Sequence, residues 1–164
     1  KYDTHWNNLG AYIGGGLLDK TLGYDMPQLN TLTKTAGNVP RYDLATLLHL
    51  GNILEDDPAY ILDGYSSHKA AIQKNDKATE FRGTISDGSG DDRKLFIIGD
   101  SFSTMMFQYV ACNFDNSYLN FYYNYNLQML EKEEPDVVVY ETVERYLNNM
   151  LHFSIKDGIE ADAE

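Results

Sequence analysis

Lys94-Leu95-Phe96-Ile97-Ile98-Gly99-Asp100-Ser101-Phe102-Ser103 is the stretch that decides the fold. Its first half is a short, unbroken apolar run, the pattern of a strand buried on both faces. Gly99-Asp100 ends the run, and Thr104 to Cys112 continues with helical character. Strand, tight turn and helix therefore follow one another within some twenty residues, and Ser101 stands at the junction.

Working outward, a second apolar run, Asp136-Val137-Val138-Val139-Tyr140, follows a helix-like stretch from Leu127 to Glu134 and Pro135. Val143 to Leu151 again reads as helix, and Ser117 to Asn126 is expected to contain a third strand. Apolar strands alternating with helices predict an α/β fold, a three-layer sandwich with a mostly parallel sheet. Asp87-Gly88-Ser89-Gly90-Asp91-Asp92 is a turn cluster in an exposed loop.

Toward the amino end the signals weaken. Asn7 to Leu22 has helical spacing at Leu9, Tyr12, Ile13, Leu17 and Leu18, interrupted by Gly14-Gly15-Gly16, which either end the helix or let it pack closely. Tyr24 to Pro40 reads mostly as loop, Asp43 to Leu50 as a short helix with Asp43 at its N-cap, and Glu55 to Pro58 as a break. Tyr60–Leu62 and Ala78–Phe81 carry weak strand signals. The chain shows no internal repeat. It is read as one domain over residues 1–155 with an acidic tail over 156–164.

The 164 residues suffice for one domain, and 43% hydrophobic content suits a folded chain. No apolar run reaches the roughly 20 residues of a membrane span. A formal charge of −12 repels phosphate backbones, so nucleic acid is not expected as a partner. The chain opens at Lys1 without a Met and is expected to be a fragment, with any secretion signal or membrane anchor upstream. The single cysteine, Cys112, allows no intrachain disulfide and reads as a buried structural thiol.

Ser101 lies where an open α/β sheet places its ligands, at the carboxyl end of a strand and the start of a helix. Backbone N–H groups and the helix dipole there can stabilise an acyl oxyanion, and Gly99 leaves room for the turn and for substrate. The same residues also read as an ordinary turn with Asp100 or Ser101 capping the helix. A serine nucleophile needs a base, and the base an orienting carboxylate. Of the four histidines, His49 sits in an apolar turn, His68 in a polar stretch and His152 near a helix end. His5 stands two residues after Asp3. In an extended segment both would point to the same side, with Trp6 beside them to wall a site.

Asp3-Thr4-His5-Trp6-Asn7, Gly10-Ala11-Tyr12, Asp43-Leu44-Ala45, Gly99-Asp100-Ser101-Phe102-Ser103, Pro135-Asp136-Val137-Val138-Val139 and Glu144-Arg145-Tyr146-Leu147 occur in this order. The set resembles the SGNH-hydrolase-like domain of the alginate O-acetylation proteins and their relatives with a DHHW-type or DTHW-type signature. The resemblance spans residues 2 to 151. It implies a catalytic triad of Asp3, His5 and Ser101, in a chain order permuted relative to ordinary SGNH hydrolases. It implies acetyl transfer to hydroxyls of a cell-envelope or exported polysaccharide outside the cytoplasm, with a membrane-bound acyltransferase as a candidate partner. No metal and no tightly bound cofactor is implied.

Gly99, Asn120 and Trp6 are further candidates for oxyanion or substrate contacts. Tyr118 to Asn126 is rich in aromatics with polar tips, suited either to sugar stacking or to a packed strand face. Glu141 and Glu144 follow the 136–140 strand at the same sheet edge as Ser101, where they can meet substrate, although Glu144 and Arg145 are expected to form structural pairs. No metal-ligand spacing is present. An esterase with the same triad, and a non-catalytic glycan-binding or scaffold domain, are the alternatives to an O-acetyltransferase.

Overall fold

The computed structural model describes residues 3–37, 43–50, 59–156 and 158–159, in two units, Lys1–Ser67 and His68–Glu164. The break expected at Glu55–Pro58 lies outside the described residues, as does most of the expected acidic tail.

In the first unit, helix α1 (Asn8–Leu22) starts where Asn7 accepts a hydrogen bond from the Gly10 amide at 3.1 Å. It stops at Gly23, whose φ of 94° lies in the left-handed region that glycine adopts without steric cost. The helix runs unbroken through Gly14-Gly15-Gly16, so the glycines do not end it. They serve packing instead. Trp6 lies along Gly10 and Gly14, one turn apart on one face, and a Cβ at Gly14 would fall 2.6 Å from the indole Cζ3. The Tyr12 hydroxyl donates to the Pro27 carbonyl at 2.5 Å, fastening the loop that follows.

A 3-10 turn (Leu29–Thr31) leads into strand β1 (Thr33–Gly37), within the region read as loop. Its exposed Thr-Lys-Thr-Ala sequence has no apolar alternation. It becomes a strand only by pairing antiparallel with β2 (Ala59–Asp63), Thr33 opposite Asp63 and Gly37 opposite Ala59. The Asn8 side-chain amide donates to the Tyr60 carbonyl at 2.6 Å and ties α1 to β2. Between the strands stands the short helix α2 (Asp43–Leu47).

The second unit is built on a five-stranded sheet. In chain order its strands are β3 (Ala71–Lys74), β4 (Glu80–Thr84), β5 (Asp91–Gly99), β6 (Phe114–Phe121) and β7 (Val137–Tyr140). Across the sheet they lie in the order β3-β4-β6-β5-β7. β5 pairs parallel with β6 and β7, whereas β4 pairs antiparallel with both β6 and β3. The fold is α/β as expected, but the sheet is mixed rather than mostly parallel. The antiparallel part is a hairpin, turned by Asn75, whose side chain accepts from the Thr79 amide at 2.9 Å. β3 is exposed along its whole length and carries no buried-strand signal to announce it.

Helix α3 (Ser101–Ala111) joins β5 to β6, and helix α4 (Leu127–Glu133) joins β6 to β7. The register puts Phe81, Leu119 and Ile97 on one face of the sheet, where the Phe107 ring of α3 meets Phe81 at 6.4 Å. Phe96 and Ile98 point to the other face and pack with Tyr125, Met129, Leu130 and Tyr140. Fully burying four side chains of β5, Leu95 to Ile98, contributes about 1.5–3 kcal/mol each and keeps this strand in the interior of the sheet, between β6 and β7. Cys112 is buried, as expected, its thiol donating to the Tyr109 carbonyl at 2.8 Å. A 3-10 turn (Glu144–Tyr146), helix α5 (Leu147–Met150) and the two-residue strands β8 (Phe153–Ser154) and β9 (Gly158–Ile159) complete the unit. None of the described helices is long and apolar enough to cross a membrane.

The Trp6 seat makes a paired prediction. Gly→Ala inside a helix ordinarily gains about 0.5–1 kcal/mol. Gly16→Ala should follow that rule, because its new Cβ meets only the flexible Met26 thioether at 3.4 Å. Gly14→Ala should instead lower stability by displacing the indole. Urea denaturation of both variants checks this, and equal gains would remove Trp6 from the α1 surface.

Candidate active site

Asp3-Thr4-His5 forms an Asx-type turn, in which Asp3 Oδ1 accepts from the His5 amide at 2.8 Å. The segment is therefore bent, not extended, but the turn brings the same two side chains together. Asp3 Oδ1 also lies 2.8 Å from His5 Nδ1. A carboxylate at that nitrogen favours the tautomer with a proton on Nδ1 and leaves Nε2 as the basic atom.

Asp43, read from sequence as a helix cap and as the first residue of the Asp43-Leu44-Ala45 motif, proves to be part of this cluster. Its amide donates to Asp3 Oδ2 at 3.2 Å. Its own Oδ1 accepts from the Thr4 and Leu44 amides, both at 2.7 Å, and its Oδ2 accepts from the Thr4 hydroxyl. The Asp43 carboxylate also stands 3.8 Å from His5 Nδ1. Desolvation pushes the Asp3 carboxyl up, but hydrogen bonds from His5 and the Asp43 amide prevail and hold it below the ordinary carboxylate range. Asp43 is likewise held low, its desolvation outweighed by Thr4, Leu44 and the His5 ring. Ligand atoms of Asp3, His5 and Asp43 lie within 4.8 Å of one another, close enough to share a cation. Yet the carboxylate oxygens already accept amide and hydroxyl hydrogens, the arrangement that orients an imidazole.

In the second unit the Gly99-Asp100-Ser101 turn is held from several sides. The carbonyls of Ile98 and Gly99 accept from the amides of Glu141 at 2.8 Å and Tyr122 at 2.9 Å, residues that continue the two flanking strands. Asp100, only 4% exposed, caps α3 through the Phe102 amide at 2.8 Å and accepts from the Val143 amide with its other oxygen, also at 2.8 Å. The capping role is thus played by Asp100, and Ser101 is the first residue of the helix. Beneath the turn, Glu141 Oε2 accepts from the Ser103 hydroxyl at 2.5 Å and from the Asp100 amide at 3.3 Å. A Cβ at Gly99 would fall 2.2 Å from Ser103 Oγ and 3.2 Å from Glu141 Oε2. The room left by Gly99 is therefore filled from below by these two side chains.

Other candidates fall in place as follows. Asn120 is buried on the sheet face under α4, its amide donating to the Met129 sulfur at 2.9 Å and its carbonyl accepting from Asn124 at 3.4 Å. Trp6 is the wedge against α1. His49 and His152 are exposed, whereas His68 is half-buried, its Nδ1 2.9 Å from the Ser89 hydroxyl. Arg145 forms no ion pair with Glu144 among the described residues. Its guanidinium lies 5.4 Å from the ring centre of Phe102, next to Ser101, and 5.3 Å from that of Tyr146. In the Tyr-rich stretch, Tyr118 and Tyr125 pack on Phe96, while Tyr123 is exposed.

Thr4→Val removes one of the hydrogen bonds that hold Asp43 low. The Asp43 carboxyl should then titrate closer to the ordinary value. Because the folded pKa is depressed, the stability it confers is present above the unfolded value and lost as pH falls through the folded one. The variant should therefore unfold in acid at a higher pH. A carbon-detected NMR titration of Asp43 reads the shift, and an unmoved titration would remove the Thr4 clamp.

No protein-family model and no curated protein matches the chain by sequence. Solved structures do match by fold. A DHHW family protein from Eubacterium siraeum superposes with a TM-score of 0.63 at 13% identity, over 85% of this chain and 57% of that one. Bacillus cereus PatB1 superposes with a TM-score of 0.61 at 15% identity, over 88% of this chain and 62% of PatB1. PatB1 with a sulfonyl adduct gives 0.61 at 14% identity, over 88% and 60% of the two chains. This chain thus spans about three fifths of the length of the structures it resembles, and what it shares with them is the fold, which in this chain is α/β with a mixed sheet.

Proposed function

We propose that the chain is an SGNH-type acyl-transfer domain, an O-acetyltransferase acting on hydroxyls of a cell-envelope or exported polysaccharide. The observation that carries the reading is the 2.8 Å pairing of Asp3 with His5 Nδ1, which makes His5 Nε2 a base. A serine at the start of α3 supplies the matching nucleophile. The fold likeness to a DHHW family protein and to PatB1 supports the same class. So does the sulfonyl adduct of PatB1, since sulfonyl electrophiles trap activated nucleophiles.

In this mechanism Ser101 Oγ attacks the carbonyl carbon of a donor acetyl group and His5 Nε2 takes the hydroxyl proton. Asp3 stabilises the resulting imidazolium. Backbone N–H groups at Ser101, at the start of α3, bind the oxyanion. His5 returns the proton to the leaving group, which leaves an acetyl ester on Ser101. A sugar hydroxyl then attacks that ester, giving its proton to His5 and finally to Ser101. Water in place of the sugar makes the same site an esterase. The setting is extracytoplasmic, with a membrane-bound acyltransferase as the source of acetyl groups.

The reading requires His5 Nε2 to reach Ser101 Oγ. Ser101→Ala and His5→Ala should each lower p-nitrophenyl acetate turnover by about 10²–10⁴-fold, with unchanged folding and no effect of a chelator on the parent protein. Added glycan that gains acetyl marks transfer, and release indifferent to glycan marks hydrolysis. No turnover by the parent protein, unchanged by Ser101→Ala, would leave only a glycan-binding or scaffold domain, and turnover that survives Ser101→Ala would remove Ser101 as the nucleophile.

A further inference from the structure

Glu141 stands at the carboxyl end of β7, immediately beside the end of β5, and is the acid beneath the Ser101 turn. Its backbone and its side chain hold the turn separately. The Glu141 amide fixes the Ile98 carbonyl at 2.8 Å, while Oε2 fixes the Ser103 hydroxyl at 2.5 Å and approaches the Asp100 amide at 3.3 Å. Ser103 is fully buried, so its hydroxyl depends on the protein for a partner. The three contacts bracket Ser101: Asp100 precedes it in the chain, and Ser103 is two residues on, in the same helical turn.

We propose that Glu141 is the positioning residue of the nucleophile, a carboxylate that locks the first turn of α3 and so sets where the Ser101 hydroxyl and amide point. It acts through Ser103 and Asp100 and need not touch substrate. Burial lifts its pKa, with the hydroxyl of Ser103 opposing and the Asp100 carboxylate adding to the rise. The groups that face it electrostatically in this unit are Asp100 on the α3 cap and the Tyr140 phenol on its own strand. An acid kept in such company is a burden on stability unless its acceptor oxygen serves the turn.

The proposal rests on Ser101 being the nucleophile, and the experiment separates the two. The full chain is treated with an aryl sulfonyl fluoride; Ser101 Oγ attacks sulfur, fluoride leaves, and the hydroxyl proton is released as HF. Mass spectrometry locates the sulfonate ester and gives its rate of formation. Failure of the parent protein to label Ser101 overturns the acyl-transfer reading itself. With labelling established, Glu141→Ala should slow it by roughly 10–100-fold, as expected for a misplaced reacting atom. Glu141→Gln, which keeps an oxygen able to accept both hydrogen bonds, should recover most of the rate. Ser103→Ala, which removes the 2.5 Å bond while leaving Glu141 in place, should slow labelling in the same direction. In p-nitrophenyl acetate turnover the loss should fall on kcat with KM little changed. Folded Glu141→Ala or Ser103→Ala protein that labels at the parent rate would overturn the positioning role.

Discussion

The end of strand β5 is held by two carboxylates that turn inward on the backbone, and the candidate nucleophile depends on how they are satisfied. Asp100 and Glu141 carry like charges and are close enough to raise the Glu141 pKa. Such a pair is tolerable only where donors surround it. Here Asp100 accepts from two amides and Glu141 from an amide and a hydroxyl, and both lie near the positive end of the α3 dipole. The residual cost has a definite sign. With its folded pKa raised, Glu141 favours the fold most in the neutral form, and this contribution is lost as pH rises through the raised value. The ionised carboxylate is thus a concession of stability that gives a fixed turn in return.

What could be read from sequence follows from the range of the signals. The apolar run at 95–98, the turn and the helix after it are local patterns, and they led to β5, a cap at Asp100 or Ser101, and α3. The apolar run at 137–140 was equally plain, although the strand it forms is only half-buried. β1 and β3 were not, because an exposed strand of Thr, Lys or Gln shows no alternation until a partner covers one edge. Missing the β3–β4 hairpin is what made the sheet look mostly parallel. The glycines at 14–16 were ambiguous for a related reason. Whether they stop a helix or seat a ring depends on Trp6, which occupies the space of the missing side chains.

The candidate site divides along the same line. Asp3 and His5 are two residues apart, and their contact was legible even though a bent Asx turn, not an extended segment, makes it. Asp43 is 39 residues from Thr4, and Glu141 is 38 from Ser103. No local pattern joins residues at that separation. Glu141 could be placed at the same sheet edge as Ser101, but its partners could not be read. Asn120 suited the expected oxyanion role by residue type, yet the sheet register turns it toward Met129 under α4.

Each unit uses the same device beside its proposed reacting group. In the first, Asp3 and Asp43 gather backbone amides around His5; in the second, Asp100 and Glu141 gather them around Ser101. Main-chain amides are supplied by every residue except proline, so most positions around such a clamp are free to vary in side chain. Only the acceptors, the glycine that admits them and the buried hydroxyl are constrained in type. A turn built this way can keep its geometry while the sequence around it changes almost completely. Such freedom is compatible with a fold shared with solved structures at 13–15% identity. It also explains why the informative residues of this chain are a few acids facing backbone rather than an extended sequence block.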